Sequence, residues 1–504
     1  MNIKEHLRKN TIFYILFFIF NAVEMIMETS ASRLLSPVLG ATNAVWIAII
    51  GVILLSSCIG NYFGGKLSEK YNADTLLYIV TAAASVFILL IPLMADMIAE
   101  SVRAVFYNIE ISAIISSAFL FFIPTALLSF TTPLLMKEML EEEKKAGYIT
   151  GLIHADIALG SLFGAFIGGF VLIPSFGADI ILYILSGVVM ICSFIAGNRK
   201  KRNILISTGL VIVAGILIFL NTFSNNPDRI LNLDFKGSVY IDTEYGRTEL
   251  TNSTYNGYPV RWYKTSGCYS SGTYLDEDKK YDLIMNYFTK LDSLIPYEDV
   301  ENTLVIGGAA YVYPRYYIST FPDKTMDVVE IDPKSTEIAK KYFFLQDLIE
   351  EYGLKETGKL GLYNDDARIF VNETEKKYDV IINDAFSGGN AIATLATKEA
   401  LECYRKCLNA GGIYYANILA SLNGKSSRWL RSEYATAKEV FPYVYLVKAE
   451  EGDDSKYINY ILICSDHAMD IEGDVKIVSD KTEMVLTDDF CPVDEMVGNS
   501  YLES

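Results

Sequence analysis

Seven apolar segments, at roughly 11–30, 43–63, 75–95, 112–136, 150–173, 179–197 and 204–221, fill the first 222 residues of this 504-residue chain. Each is long enough, as a helix, to cross ~30 Å of hydrocarbon. The first is too long for a cleaved signal sequence, lacks a small-residue cleavage site and is followed at once by further segments. The pattern predicts a multi-pass α-helical membrane domain over 1–222.

Basic residues orient it. Lys4, Arg8 and Lys9 precede the first segment, Lys66 and Lys70 follow the second, and Lys137, Lys144 and Lys145 follow the fourth. Arg199, Lys200, Lys201 and Arg202 separate the sixth from the seventh. In a seven-span arrangement these twelve residues share one side, and only Arg33 and Arg103 fall on the other. The positive-inside rule then makes the N-terminus cytoplasmic and puts everything after the seventh span outside the cytoplasm, in a protein of the cell membrane.

Charge separates the two halves. Residues 1–222 carry 14 Lys/Arg and 14 Asp/Glu; subtracting from 43 and 61 leaves 29 and 47 for the rest, so the net charge of −18 belongs to the second half. An acidic domain without a basic footprint disfavours a nucleic-acid partner and suits a small, cationic one. Among the seven cysteines Cys403 and Cys407 are four apart, which is not a redox CxxC pair, and with three histidines in the chain no zinc set forms. The sequence predicts no metal.

Within the spans, Glu24, Glu28, His154 and Asp156 are polar residues in apolar surroundings. They are read either as a polar path or as interhelical pairing. Gly160, Gly164 and Gly168 form a small-residue stripe that lets helix backbones approach.

After Asn221 the run from Asn225 to Gly237 reads as a linker, and 223–279 as linker plus a small β subdomain rich in Tyr and Thr. A helix is predicted from Lys280 to Leu294. From 280 to 504 buried strands alternate with amphipathic helices: strands at 303–306, 326–331, 360–363, 378–382 and 412–418, helices at 333–343 and 397–408. This is an α/β, Rossmann-like, doubly wound and largely parallel sheet, whose ligands bind at the carboxyl ends of the strands.

The polar residues fall at those ends. Gly307 and Gly308 follow the first strand and allow close backbone approach. Glu330 ends the second, 23 positions after Gly307, with Asp332 just beyond, and suits a ribose diol. Asp366 and Ala367 follow the third, facing an adenine, and Asp384 follows the fourth, facing whatever reacts. With no GxGxxG string and no basic residue for phosphate, a dinucleotide is disfavoured. A sulfonium nucleoside such as S-adenosylmethionine fits acidic walls better.

The strings VIGGAA at 305–310, VVEIDP at 328–333, NDDAR at 364–368, YDVIINDAF at 378–386 and SSGTYLDEDKKYD at 270–282 resemble the spermidine synthase (aminopropyltransferase) family over roughly residues 237–465. ETSASRLLSPVLG at 28–40, GNYFGGKLSEK at 60–70 and LTDDFCPVDEM at 486–496 extend the likeness to its membrane-fused, transporter-like branch. The resemblance implies a fold of the S-adenosylmethionine-dependent methyltransferase/spermidine synthase type. It implies S-adenosylmethionine or its decarboxylated form as co-substrate, with no permanently bound cofactor. It makes Asp384 the proton acceptor, Glu330 the ribose partner and Tyr281 a substrate-contacting tyrosine. Three positions depart from it: Ala310 and Ser387 stand where the family has aspartates that hold the amine, and Asp282 replaces an amide or imidazole. Two functions follow as expectations, group transfer to a small nucleophile or a binding domain that has lost catalysis and is coupled to the membrane half.

Overall fold

The computed structural model describes residues 3–39, 43–106, 108–140, 146–196, 201–224, 238–243, 245–265, 267–387, 390–423, 427–475, 477 and 483–497. The chain divides into two units: Met1–Asn226 with Tyr240–Arg247, and Pro227–Val239 with Thr248–Ser504.

The first unit is helical: α1 (Ile3–Leu39), α2 (Asn43–Ser68), α3 (Ala73–Val105), α4 (Ile109–Ser129), α5 (Thr131–Leu140), α6 (Ala146–Ile167), α7 (Ile173–Phe176), α8 (Ala178–Ala196) and α9 (Lys201–Ser224). A π turn at Gly168–Leu172 joins α6 to α7. Among the described residues six stretches are long and apolar enough to cross a membrane: Asn10–Ser36, Val45–Ser68, Thr75–Val105, Glu110–Leu140, Ala146–Leu172 and Ala178–Ile195. The seventh expected segment is helical as α9, with a shorter apolar stretch at Val211–Leu220.

The glycine stripe packs as its spacing predicts. A β-carbon on Gly160 would lie 2.5 Å from the Phe18 carbonyl oxygen, and one on Gly164 would lie 2.5 Å from that of Ala22, so α6 rests directly on the backbone of α1. Glu24 of α1 accepts hydrogen bonds from Ser57 of α2 and, at 3.1 Å, from Ser129 of α4. Its polar atoms are thus used between helices. At the N-terminal end of α8, Arg247 donates to Asp179 at 3.1 Å and to Asp242 at 3.1 Å, and Asp242 accepts from the Ala178 amide at 3.1 Å. Asp242 and Arg247 are therefore fixed at the N-terminal end of α8.

β1 (Ser238–Asp242), of which Tyr240–Asp242 count with the first unit, leads into an antiparallel sheet of β2 (Arg247–Tyr255), β3 (Tyr258–Thr265) and β4 (Cys268–Tyr274) that belongs to the second unit from Thr248 onward. The helix expected from Lys280 forms only as α10 (Asn286–Asp292). The Lys280 carbonyl accepts from Arg315 at 2.6 Å and Thr273 at 3.1 Å, which removes it from any helical ladder.

A seven-stranded sheet follows. Its strands are β5 (Asn302–Ile306), β6 (Thr325–Glu330), β7 (Leu360–Asn364), β8 (Tyr378–Asn383), β11 (Leu408–Ala420), β12 (Tyr443–Lys448) and β13 (Ile458–Ser465), in the order β12-β13-β11-β8-β5-β6-β7. The two-residue strands β9 (Phe386–Ser387) and β10 (Asn390–Ala391) form a separate pair. β5 to β8 and β11 are parallel, whereas β13 runs antiparallel to both β11 and β12. The sheet is thus Rossmann-like but mixed. The helices α11 (Val312–Thr320), α12 (Pro333–Tyr342), α13 (Leu345–Glu351), α14 (Leu354–Thr357), α15 (Ala367–Glu373), α16 (Lys398–Cys407) and α17 (Ser427–Val440) fall between the strands in sequence, and α18 (Val493–Val497) follows them. Two cores flank the sheet, one containing Leu304, Tyr404, Trp429 and Leu462, the other Val305, Tyr313, Tyr317 and Ile463. Between β5 and β8 the connections diverge to opposite edges, which makes the carboxyl ends of these two strands the switch point where ligands bind in such sheets.

Candidate functional site

The site grows from the loop after β5. Gly307 has φ +93°, and a β-carbon there would lie 2.5 Å from the Asp384 carbonyl oxygen, so angle and neighbour both require glycine. Its amide donates to Val329 at 2.9 Å, and the Asp384 amide donates to Ile306 at 2.9 Å. The ends of β5, β6 and β8 are therefore tied together by backbone. Ala309 and Tyr311 also have positive φ, +44° and +54°, a conformation that side-chain-bearing residues adopt at a cost.

Glu330, 8% exposed, holds this loop in place. Its Oε2 accepts from the amides of Gly308 at 2.7 Å and Ala309 at 2.9 Å, and its Oε1 from Asp332 at 2.9 Å. Burial pushes its pKa up while the three amides oppose that shift. A carboxylate accepts about four hydrogen bonds. One position on Oε1 is then left for an incoming hydroxyl, where the sequence led us to expect two.

Asp332 and Asp366 are helix caps. Asp332 is buried and accepts from the Lys334 amide at 2.9 Å at the start of α12. Asp366 accepts from Arg368 at 2.7 Å and Ile369 at 3.2 Å at the start of α15, whose first residue is the half-buried Ala367. Each cap satisfies amides that a helix N-terminus leaves open. Asn364 at the end of β7 donates to the carbonyls of Glu330 at 2.8 Å and Ile331 at 3.1 Å, which joins the second and third strand ends.

Asp384, just beyond β8, is half-buried, and both of its oxygens are held. Tyr287 of α10 donates to Oδ2 at 3.0 Å, and Asn417 of β11 donates to Oδ1 at 2.8 Å. Burial raises its pKa to about 7, against the pull of these two donors. Burial likewise lifts the Tyr287 hydroxyl well above the usual phenol range, so it stays a donor. A carboxylate poised near neutrality beside a glycine loop can take a proton from an attacking nucleophile.

Tyr281 is placed elsewhere. Its hydroxyl donates to Glu351 of α13 at 2.8 Å, in a polar cluster where Lys280 also reaches Glu351 at 2.6 Å. The tyrosine on the Asp384 carboxylate is Tyr287. Sequence reasoning missed Tyr287, Asn417 and the residue behind it, Asn459. For the asparagines a signal existed, since each is an amide in an otherwise apolar strand, where a buried polar group needs a partner. Of the positions that depart from the resemblance, Ala310 is fully buried, Ser387 lies in β9, and Asp282 is exposed and pairs with Lys279 at 3.4 Å. Gly388 and Gly389 lie outside the described residues.

Residues 293–449 match the family model described as the spermine/spermidine synthase domain. Among curated proteins, the polyamine aminopropyltransferase of Vibrio vulnificus is 29% identical over 161 residues, 31% of this chain and 49% of the relative. That of Methanocaldococcus jannaschii is 32% identical over 161 residues, 30% of this chain and 51% of the relative. The chain thus spans about half the length of these two relatives. The polyamine aminopropyltransferase of Oceanobacillus iheyensis aligns over 387 residues at 21% identity, 74% of this chain and 72% of the relative. Among solved structures, a probable spermidine synthase from Corynebacterium glutamicum aligns with a TM-score of 0.38 at 22% identity, covering 47% of this chain and 81% of that one.

Proposed function

We propose that the protein is a membrane-anchored group-transfer enzyme. In this reading its α/β unit binds S-adenosylmethionine, decarboxylated S-adenosylmethionine or methylthioadenosine at the ends of β5, β6 and β8. It transfers an aminopropyl or related group to a small nucleophile. The observation that carries it is Asp384: a carboxylate raised to about 7, held on both oxygens and packed against the Gly307 loop. The match of residues 293–449 to the spermine/spermidine synthase domain supports the choice of chemistry.

The Glu330 Oε1 and the Gly307–Gly308 backbone would position the nucleoside, with Ala367 and Asp366 toward its base. The nitrogen lone pair of an amine attacks the carbon next to the sulfonium. The carbon–sulfur bond breaks with its electron pair going to sulfur, and the proton leaving nitrogen goes to Asp384. Alignment of the two reactants supplies most of the acceleration. Ala310 offers no charge to an ammonium group, so the acceptor on this reading is not a diamine anchored there.

The test is product analysis on the purified full-length protein with each donor, with and without amines. Release of methylthioadenosine that depends on Asp384 is the expected result. No methylthioadenosine from any donor would overturn aminopropyl transfer, and S-adenosylhomocysteine in its place would identify methyl transfer.

For location, we propose that the helical unit spans the cell membrane with the N-terminus cytoplasmic and the acidic unit on the other side. The twelve-to-two bias of basic residues supports this. Reporter fusions after residue 222 and at Ser504 should both give extracytoplasmic signals; a cytoplasmic signal at either would refute the orientation.

A further inference from the structure

Behind Asp384 lies a second polar contact that the transfer step does not itself use. Asn417 of β11 donates its Nδ2 to Asp384 Oδ1 at 2.8 Å, and its own Oδ1 accepts from Asn459 Nδ2 of β13 at 2.8 Å. The register explains why the three meet. Ala416 pairs with Asn383, so Asn417 and Asp384, one residue further along each strand, come side by side. Leu419 pairs with Asn459, so Asn417 and Asn459 are diagonal neighbours on one face of an antiparallel pair, within reach of long polar side chains.

An asparagine can present either its oxygen or its nitrogen to a neighbour, and only the nitrogen suits a carboxylate. Left to itself, the Asn417 amide could rotate and turn a carbonyl toward Asp384. A donor at its back removes that option, because the orientation that accepts from Asn459 is the one that donates to Asp384. We propose that Asn459 is a positioning residue for Asp384, acting through Asn417 by locking the amide in its donating orientation. The inference rests on the reading of Asp384 as the proton acceptor.

The experiment follows the Asp384 carboxyl itself, by its infrared carboxyl band as a function of pH, with Asp384→Asn protein as the blank. The full-length protein is used as wild type, Asn459→Leu, Asn417→Ala and the double variant. Asn459→Leu should raise the midpoint by roughly half a unit to one unit, as loss of a hydrogen bond to the charged form does. Asn417→Ala should raise it at least as much, and the double variant should match Asn417→Ala alone, since Asn459 has no other route to the carboxylate. An unchanged midpoint in Asn459→Leu, or shifts that add in the double variant, would overturn the proposal. If Asn459→Leu does not fold, the isosteric Asn459→Asp takes its place. Its new carboxylate accepts from the Asn417 nitrogen and turns the amide carbonyl to Asp384, and the midpoint should rise further. With turnover, the acid limb of kcat moves with the infrared midpoint while KM for the donor stays constant. Without turnover from any donor the transfer reading fails, and the infrared titration still decides the role of Asn459.

Discussion

A β-carbon on Gly307 would sit 2.5 Å from the carbonyl oxygen of Asp384, so the loop after β5 and the residue proposed as proton acceptor share one backbone contact. Gly307→Ala must displace one of them and also strain a φ of +93°. We expect a loss of roughly 2 kcal/mol in stability, from the strained angle and the overlap together, together with weaker binding of S-adenosylmethionine. Thermal melting and calorimetry on the same sample would check both; a variant that melts and binds as wild type would show that the loop yields without cost.

Asp384 should make both stability and rate depend on pH. Its folded pKa is raised to about 7, so the folded state holds this proton more tightly than the unfolded chain does. The stability it contributes is fully present below the unfolded carboxylate pKa and is lost as pH rises through 7. Asp384→Asn should therefore be close to neutral at pH 4 and stabilising at pH 8, by roughly 2–4 kcal/mol. Catalysis runs the other way, because a base must be ionised, and turnover should climb to a plateau above pH 7. Denaturant melts of both proteins at pH 4 and 8, and a rate profile of the wild type, test the two signs independently.

Glu330→Gln removes the charge that three amides share. Hydrogen bonds to charged groups contribute about 1.5–3 kcal/mol each, and the amide group of glutamine, with one acceptor oxygen, cannot serve both Oε1 and Oε2 partners. The loop at Gly308–Ala309 should loosen, with a loss of about 2 kcal/mol and at least a tenfold drop in nucleoside affinity. Equilibrium binding of methylthioadenosine is the measurement; unchanged affinity would remove Glu330 from the pocket.

Arg247→Met leaves Asp179 and Asp242 facing each other without their cation, and breaking a buried pair in this way costs about 3–5 kcal/mol. Amide hydrogen exchange over Tyr240–Arg247 should accelerate strongly, whereas exchange in β5 and β8 should not change.

The strand ends were legible because parallel strands are short apolar runs and the residue that stops each run is glycine, asparagine or a carboxylate. Gly307, Glu330, Asp366 and Asp384 all lie where that logic puts them. Side-chain direction was not legible. A continuous helix from Lys280 would place Tyr281 and Phe288 on one face. Instead Arg315 captures the Lys280 carbonyl, α10 starts six residues late, and Tyr287 rather than Tyr281 meets Asp384. The double duty of Glu330 was hidden for a similar reason, since a residue's partners are set by loop backbone that only the folded chain brings within 3 Å. The antiparallel strands β12 and β13 escaped a reading that stopped at the last βα repeat, and with them went Asn459.

Between Val239 and Thr248 the chain leaves the second unit for the first and returns to it. A modular fusion would be expected to have one seam, open to a protease or to recombination at a single point. Here eight residues of the acidic half's sequence are spent on the helical unit, so no single scission yields both parts whole. Any attempt to express the α/β unit alone has to decide what becomes of a guanidinium whose two carboxylates lie 63 residues apart in the sequence.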